Sequence, residues 1–226
     1  MVILPARNEG PRVGLVVREL ERTLPGVELV VIENGSTDDT AERARAAGAT
    51  VLQADPGYAN ALKVGFAYAQ RREAAWLATV DADGQHPPLA LPTLIAALDQ
   101  ADLVVGSRFL GLSGYRIPTT RRLAIRALSA WASFLGGHVF TDVTSGLRVM
   151  RPAVFHAFAS DYPTEIADAN VLVRAVRSGW RVCEVPVAMR ERAGGRSMHD
   201  TPRSALFALK MARLCVTEAG LSAGKA

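Results

Sequence analysis

The first 83 residues alternate between short apolar runs and segments with helical periodicity. The apolar runs are VILP at 2–5, ELVVIE at 28–33, ATVLQA at 49–54 and WLATVD at 76–81. The segments between them are helices at 11–24 and 38–47 and, at 56–74, a Gly-led loop followed by a helix. In the first of these, apolar residues recur every three or four positions. Strands that alternate with helices are typical of a doubly wound parallel sheet covered by helices on both faces. The sequence therefore predicts an α/β fold.

The regular alternation of strands and helices ends after residue 83. We expect a helix that Pro87, Pro88 and Pro92 open and that runs to about Gln100. The remaining expected elements are a strand at 102–109, a mobile Gly- and Pro-bearing segment at 111–120, a helix at 121–136, a strand at 144–152, a helix at 165–178, a strand at 180–187, a Gly-rich loop at 191–197 and a helix at 202–218. No internal repeat or low-complexity linker divides the chain, so a single domain over 1–226 is expected.

Two carboxylates end the fourth apolar run, in the sequence VDADGQH at 80–86. Asp81, Asp83 and Gln85 occupy alternate positions, which point to one side of an extended chain. They would lie at the carboxyl end of a strand, where open α/β sheets bind their ligands. Neighbouring carboxylates repel each other unless a cation lies between them, and such oxygen ligands suit Mg²⁺ or Mn²⁺. The alternative is a polar turn, because Asp-Gly pairs are common in turns.

Composition narrows the classes of partner. The chain has 226 residues, 49% of them hydrophobic, which is enough for a substantial core. The net charge of +4 and the pI of about 9.4 are compatible with phosphate-rich ligands or anionic lipid. Aromatic residues make up only 6%, and no basic helix or aromatic-interleaved basic motif occurs, so nucleic acid is not an expected partner. Cys183 and Cys215 lack metal-ligand spacing and are expected to be reduced thiols.

Six stretches together resemble the family 2 glycosyltransferases of the GT-A fold, and more narrowly the dolichol- or polyprenyl-phosphate sugar synthases. They are LPARNEG (4–10), VIENGSTDDT (31–40), VDADGQHPP (80–88), VVGSRF (104–109), TDVTSGLRVMR (141–151) and EVPVAMRERAGGRS (184–197). The resemblance implies a Rossmann-like, mostly parallel sheet flanked by helices, with a smaller acceptor-side subregion. It also implies a nucleotide-sugar-binding half at 1–110 and an acceptor half at 111–226.

The resemblance assigns the nucleotide pocket to the ends of the first two strands. Pro5, Arg7, Glu9 and Asn34 would hold the base and ribose of a GDP- or UDP-type sugar donor. Glu9 offers acceptors for ribose hydroxyls, and Asn34 offers one acceptor and two donors for a base edge. Asn34-Gly35 is also a turn signal, and Ser36 or Thr37 can cap a helix. The family usually has Asp-Asp where this chain has Glu33-Asn34, which leaves the choice of nucleotide open.

The resemblance also implies a bound Mg²⁺ or Mn²⁺ ion. Asp83 is the first choice of ligand, Asp81 is shared between metal and ribose, and Gln85 is auxiliary. The ion would bridge the donor diphosphate and stabilise charge as the sugar–phosphate bond breaks. His86 is a further ligand candidate, but a histidine before two prolines more often has a structural role.

Cationic and hydroxyl groups in the second half are expected to bind phosphate. By resemblance, Arg121, Arg122, Ser145 and Arg148 bind the acceptor phosphate, and Arg196 binds the donor from the Gly-rich loop that also holds Ser197. Arginine suits this role because its planar fork binds phosphate oxygens in pairs. An arginine taken alone is more often a solvated surface charge, and the TSGLR context favours phosphate binding for Ser145 and Arg148.

Two mechanisms and one non-catalytic alternative follow. An ionised lipid phosphate needs no general base, so Arg148 and the metal at Asp83 would suffice for an inverting transfer. A hydroxyl acceptor needs a carboxylate base. Asp168 is the first candidate, with Asp142 and Glu165 as second choices, although Asp168 could instead interact with a helix dipole. The third alternative is a protein that binds sugar nucleotides without catalysis.

The helix expected at 121–136 bears arginines and an apolar stripe, so it could lie on a membrane surface or pack in the core. No run of 18 apolar residues and no signal peptide is recognisable. A cytoplasmic location is therefore expected, with peripheral contact at the inner membrane face if the acceptor is a lipid.

Overall fold

A computed structural model describes residues 1–111, 117–163, 166–191 and 204–220. The strands are β1 (Val2–Ala6), β2 (Leu29–Glu33), β3 (Thr50–Gln53), β4 (Leu77–Thr79), β5 (Leu103–Ser107), β6 (Arg148–Met150) and β7 (Val182–Pro186). The helices are α1 (Gly10–Thr23), α2 (Thr40–Ala46), α3 (Tyr58–Arg71), α4 (Leu91–Ala96), α5 (Thr119–Gly136), α6 (Pro152–Ser160), α7 (Ala169–Arg177) and α8 (Ser204–Glu218).

The strands form one sheet in the order β3-β2-β1-β4-β6-β5-β7. All neighbouring pairs are parallel except those of β6, which runs antiparallel to β4 and β5. Arg148, the first residue of β6, is paired with Thr79 at the end of β4 and with Val105 in β5. Because β6 is reversed, its first residue lies at the carboxyl edge of β4. The segment before β6 therefore reaches the edge where ligands are expected.

Two apolar layers cover the sheet, one on each face. Successive residues of β1 point to opposite faces. Ile3 joins a cluster with Phe66 of α3 and Phe155 of α6. Leu4 joins a cluster with Val17 of α1 on the other face. Both clusters are fully or almost fully buried, so the alternation of apolar side chains along β1 fixes how the helices cover the sheet.

Helices α5, α7 and α8 pack against one another. Arg174 in α7 donates from Nε to Oε2 of Glu218 in α8 at 2.6 Å. The Trp131 indole N–H in α5 donates to the Ala212 carbonyl in α8 at 3.1 Å. None of the helices in the described ranges combines the length and apolar character that crossing a membrane requires.

Some predicted boundaries were wrong for local reasons. The second helix begins at Thr40, because the Asp38 carboxylate accepts the backbone N–H groups of Gly10 and Thr40, each at 3.1 Å, before the helix begins. The helix expected to end near Gln100 is α4 flanked by two short 3₁₀ turns. Pro92 lacks the N–H that a continuous helix would need there. The predictions for 112–116, for Glu165 and for the loop with Gly194, Gly195, Arg196 and Ser197 lie outside the described residues.

Candidate active site

Asp81 lies just beyond β4 and is held from two directions. Its backbone N–H donates to Nδ1 of His86 at 3.0 Å, and its Oδ1 accepts the Tyr58 hydroxyl at 3.1 Å. His86 is 6% exposed, and its Nε2 lies 3.6 Å from Asp81 Oδ2. These contacts fix the turn after β4 and orient the Asp81 carboxylate.

Asp83 and Gln85 form the rest of that turn. The Asp83 Oδ1 accepts the Gln85 backbone N–H at 3.0 Å. The Gln85 carbonyl accepts the Arg190 backbone N–H at 2.9 Å, and the Gln85 side-chain amide lies 3.4 Å from the Arg190 carbonyl. The turn is thereby attached to the segment that follows β7.

The donor groups of this turn fit a magnesium-type ion. In the part of the chain that the structure describes, no three His, Cys, Asp or Glu side chains converge as a metal-binding group. Mg²⁺ does not need such a group, because it is usually bound by one or two carboxylates together with substrate phosphates and water. Asp81 and Asp83 supply that number of carboxylates at the edge of the sheet.

The loops after β1 and β2 are bonded to each other and form a second wall. Asn8 accepts the Thr37 backbone N–H at 2.8 Å through its side-chain oxygen, and its own backbone N–H donates to Ser36 Oγ at 3.1 Å. The Glu9 backbone N–H donates to Thr40 Oγ1 at 2.9 Å. These bonds make one rigid surface from two loops that are distant in sequence.

The predicted nucleotide-binding side chains differ in their surroundings. Pro5 is buried within β1, whereas Arg7 is exposed. Glu9 is 8% exposed, and its Oε2 accepts from Nη1 of Arg12 at 3.0 Å. Glu33 accepts the backbone N–H of Ser36.

Asn34 has a polar atom that lacks a partner. The residue is 5% exposed, and its backbone N–H donates to the Ala6 carbonyl at 3.2 Å. Its side-chain oxygen is buried and accepts no hydrogen bond from the described residues. A buried acceptor without a donor destabilises the protein, so a ligand N–H at this point would be bound favourably.

Arg148 and Asp168 face each other across the start of β6. Arg148 is 5% exposed and donates from Nε to the Ser145 carbonyl at 2.9 Å and from Nη2 to the Asp168 carbonyl at 3.3 Å. The same Nη2 lies 3.6 Å from Asp168 Oδ1. Ser145 is itself 1% exposed, and its hydroxyl accepts the Leu147 N–H at 3.3 Å.

Burial raises the pKa of Asp168 to about 7, and this effect exceeds the opposing influence of the Arg148 guanidinium. The carboxyl group is therefore close to half-protonated near neutral pH. It caps no backbone N–H of α7, although it directly precedes that helix.

A cavity of about 340 Å³ lies between Asp81 and the pair formed by Arg148 and Asp168. Asp81, Arg148 and Asp168 line its polar end, and Leu62, Phe66 and Phe158 are among its apolar lining. The structure thus brings together residues that the sequence had placed in separate sites. Arg121, which is half-buried, and Arg122, which is exposed, lie in the first turn of α5 and do not line this cavity.

A buried ion pair beside the cavity was missed in the sequence. Arg108 donates from Nε and Nη2 to the two oxygens of Asp142, each at 2.6 Å. Asp142 is fully buried. Both of its oxygens are engaged, so its surroundings do not suit the alternative role of base.

Glu184 in β7 also holds the segment that contains Asp142. Its carboxylate accepts the backbone N–H groups of Thr141 and Asp142, each at 2.7 Å, and the Thr141 hydroxyl at 2.8 Å. Arg108 lies in the motif VVGSRF, Asp142 in TDVTSGLR and Glu184 in EVPV. The opposite charges of these residues were the signal from which the sequence could have predicted their contacts.

A family model described as glycosyl transferase family 2 matches residues 1–156. The chain belongs to that family. This glycosyltransferase is 30% identical over 219 residues to the dolichyl-phosphate hexose transferase of Haloferax volcanii, covering 96% of this chain and 94% of that one. It is 31% identical over 214 residues to the polyprenol monophosphomannose synthase of Mycolicibacterium smegmatis, covering 87% of this chain and 79% of that one.

The fold has solved counterparts. The glucosyl-3-phosphoglycerate synthase of Mycobacterium tuberculosis, in complex with Mn²⁺, UDP and phosphoglyceric acid, superposes with a TM-score of 0.72 at 20% identity. The match covers 97% of this chain and 78% of that one. The predictions of family membership, of a GT-A type fold and of glycosyltransferase activity are confirmed.

Proposed function

We propose that this glycosyltransferase transfers a sugar from a nucleotide diphosphate sugar to a polyprenyl phosphate, with a divalent metal and with inversion at the anomeric carbon. The observation that carries the proposal is the cavity at the carboxyl edge of β4, bounded by Asp81, Arg148 and Asp168. The two relatives named for transfer to dolichyl phosphate or synthesis of a polyprenol monophosphomannose support a lipid phosphate as acceptor.

The nucleoside would bind against the wall made by the loops after β1 and β2. Pro5, Arg7 and Glu9 lie on one loop, and Asn34 begins the other. The unpartnered Asn34 oxygen suits the ring N–H of uracil or guanine, which supports a UDP- or GDP-type donor.

The donor diphosphate would bind beside Asp81 and Asp83, with Gln85 as an auxiliary ligand. When bound there, Mg²⁺ or Mn²⁺ supplies positive charge that stabilises the leaving diphosphate. The Tyr58 hydroxyl holds the Asp81 carboxylate in place for this purpose. Arg196 is the proposed further contact to the donor.

The acceptor phosphate would meet Arg148 at the polar end of the cavity, with Ser145 in the same segment, and Arg121 and Arg122 of α5 are the proposed further contacts. An ionised phosphate oxygen attacks the anomeric carbon. The bond from that carbon to the diphosphate breaks, and the nucleoside diphosphate leaves with the electron pair. The acceptor needs no base, so catalysis consists of positioning and charge stabilisation.

Peripheral contact with the cytoplasmic membrane face would bring the lipid to this site. Support comes from α5, on which Leu123 is 69% and Phe134 77% exposed. Arg122 and Arg126 are exposed on the same helix and suit anionic headgroups.

One observation favours a second candidate, a family 2 enzyme with a hydroxyl acceptor. Asp168 lines the cavity, and burial raises its pKa to about 7, which suits a general base near neutral pH. In that mechanism Asp168 takes the proton of the attacking hydroxyl.

The experiment is a melting-temperature measurement with UDP or GDP, with and without Mn²⁺, followed by transfer of labelled sugar to polyprenyl phosphate. We expect one nucleotide to stabilise the protein only with metal, by about 3 kcal/mol at a hundredfold excess over Kd. Asp83→Asn should abolish that stabilisation and the transfer, whereas the exposed control Asp99→Asn should preserve both. Full transfer in the presence of EDTA would overturn the metal-dependent mechanism.

A further inference from the structure

Part of the cavity lining is aromatic. The rings of Phe66 and Tyr162 lie 5.0 Å apart between centroids, those of Phe158 and Tyr162 5.2 Å, and those of Phe66 and Phe158 5.6 Å. All three residues line the cavity and are at most 4% exposed. Leu62 and Met150 are further apolar residues of the lining. We call these five residues the apolar floor.

Hydroxyl groups around the cavity are mostly engaged with the protein. The Thr79 hydroxyl donates to the Gly146 carbonyl at 2.6 Å, and the Tyr58 hydroxyl donates to Asp81 at 3.1 Å. The Thr144 hydroxyl lies 3.3 Å from Asp142 Oδ1. Hydrogen bonding to a ligand therefore falls mainly to the ionisable groups Asp81, Arg148 and Asp168 at the polar end, with the Tyr162 hydroxyl as the one polar group of the floor.

The position of the cavity identifies the part of the donor that would enter it. The sugar is bonded directly to the diphosphate, and the proposed diphosphate position is beside Asp81, which lines the cavity. A volume of about 340 Å³ is near the lower end for small-molecule pockets and suits a single substituted ring. A polyprenyl chain of many isoprene units is too long for it.

We propose that this cavity selects a donor sugar that bears a methyl group, either in an acetamido substituent or as a 6-deoxy carbon. The inference deepens the proposed function and rests on it. The ring hydroxyls face the polar end of the cavity, where the acceptor phosphate meets Arg148, and the methyl group lies on the apolar floor. A sugar hydroxyl placed there instead would lose water and find few partners, which makes its burial unfavourable.

The test compares matched donors on the full-length protein with Mn²⁺, by calorimetric titration. On each base the parent hexose is compared with its acetamido and its 6-deoxy derivative: UDP-glucose with UDP-N-acetylglucosamine and UDP-6-deoxyglucose, and GDP-mannose with GDP-N-acetylmannosamine and GDP-6-deoxymannose, each measured against UDP or GDP alone. On the base that the protein accepts, we expect one methyl-bearing donor to bind at least tenfold more tightly than the parent hexose. The derivative that gains affinity distinguishes an acetamido from a 6-deoxy sugar.

The outcomes separate this inference from the proposed function. Binding of UDP or GDP without any preference for the methyl-bearing donor would overturn the pocket inference alone. Equal or tighter binding of the plain hexose, stacked on the rings, would do the same. Failure of every nucleotide and donor to bind would overturn both proposals.

Two variants test whether the preference for a methyl-bearing donor arises at the cavity. Ala167→Leu, in the loop that lines the cavity, should lower the affinity for the methyl-bearing donor at least tenfold. The affinity for UDP or GDP alone should stay unchanged. Ala127→Leu on the exposed side of α5 is the matched control. Ile166→Asn places an amide beside the cavity and should reduce the preference for the methyl group. Unchanged donor preference in both cavity variants would contradict the inference, and the wild-type titration decides the matter if either fails to fold.

Discussion

Asp168 is the residue whose charge depends most on its surroundings. An exposed aspartate is ionised throughout the neutral range. Here burial raises the pKa from 3.8 to about 7 although Arg148 is adjacent. The unfolded chain releases this proton near pH 4, whereas the folded protein keeps it until about pH 7. The ionised form therefore lowers stability, increasingly from about pH 4 and in full above pH 7.

We expect Asp168→Asn to stabilise the protein at pH 8 and to have little effect at pH 4. The gain in unfolding free energy at pH 8 should be up to about 4 kcal/mol, because one pKa unit corresponds to about 1.4 kcal/mol. Urea unfolding across this pH range measures it, with the exposed Asp55→Asn as control. A gain that shrinks as pH rises would contradict the assigned pKa direction.

The same substitution distinguishes the two acceptor classes. With a lipid phosphate acceptor, Asp168→Asn should retain transfer, since no proton has to be removed. With a hydroxyl acceptor, it should reduce kcat by about 10²-fold or more at unchanged affinity for UDP or GDP. Lost transfer to polyprenyl phosphate with intact donor binding would rule out the base-free mechanism.

Residue positions were predictable where the local pattern carries the information. Asp81, Asp83 and Asn34 follow apolar strands, so their place at the carboxyl edge follows from chain direction alone. The contact of Tyr58 with Asp81 and that of Arg108 with Asp142 join residues 23 and 34 positions apart. Such contacts depend on how elements pack, which periodicity does not specify.

At the scale of elements, helix α3 lies unusually close to strand β1. A Cβ atom at Gly65 would lie 2.5 Å from Cδ1 of Ile3, a fully buried side chain. At Gly14 in α1, the nearest atoms to an added Cβ are 3.5 Å away, an ordinary contact distance. The two glycines thus sit in helices on opposite faces of the sheet, with different space around them.

Alanine at these two positions should have opposite effects. Gly65→Ala should lower the unfolding free energy by about 1–3 kcal/mol, because the added methyl overpacks the contact with β1. Gly14→Ala should raise it by about 0.5–1 kcal/mol, because alanine has the higher helix propensity. Urea unfolding of both variants checks this, and equal effects would contradict the close packing of α3.

Element types were easier to predict than element lengths. The first four strands and three helices followed from apolar periodicity. The strand expected at 144–152 is only three residues long, because the preceding residues turn to place Ser145 and Gly146 at the site. The antiparallel direction of β6 follows from its pairing with β4 and β5. The local sequence does not encode which strands pair.

At the scale of the whole molecule, a polar connection joins β5, β6 and β7 beneath the site. Glu184 in β7 holds the backbone of Thr141 and Asp142, and Asp142 holds Arg108 after β5. The segment that leads to Arg148 is thereby fixed to β5 and to β7.

Glu184→Gln should weaken this connection. A glutamine has one acceptor oxygen, whereas the glutamate oxygens accept three hydrogen bonds here. We expect a loss of about 1–3 kcal/mol in unfolding free energy, measured by urea unfolding, with the exposed Glu42→Gln as control. Stability equal to that of the control would show that the connection contributes little.

The reversed strand β6 also has a consequence for the order in which the chain can fold during synthesis. β4 and β5 are made early but are separated in the sheet by β6, which comes more than 40 residues after β5 along the sequence. Until Met150 has left the ribosome, β4 and β5 each present an unpaired edge to other chains. A nascent chain that stops shortly after β5 would carry three strand edges that the complete sheet pairs, one on β4 and two on β5, because β7 is also not yet made. Aggregation during translation should therefore be greatest between the completion of β5 and the arrival of β6.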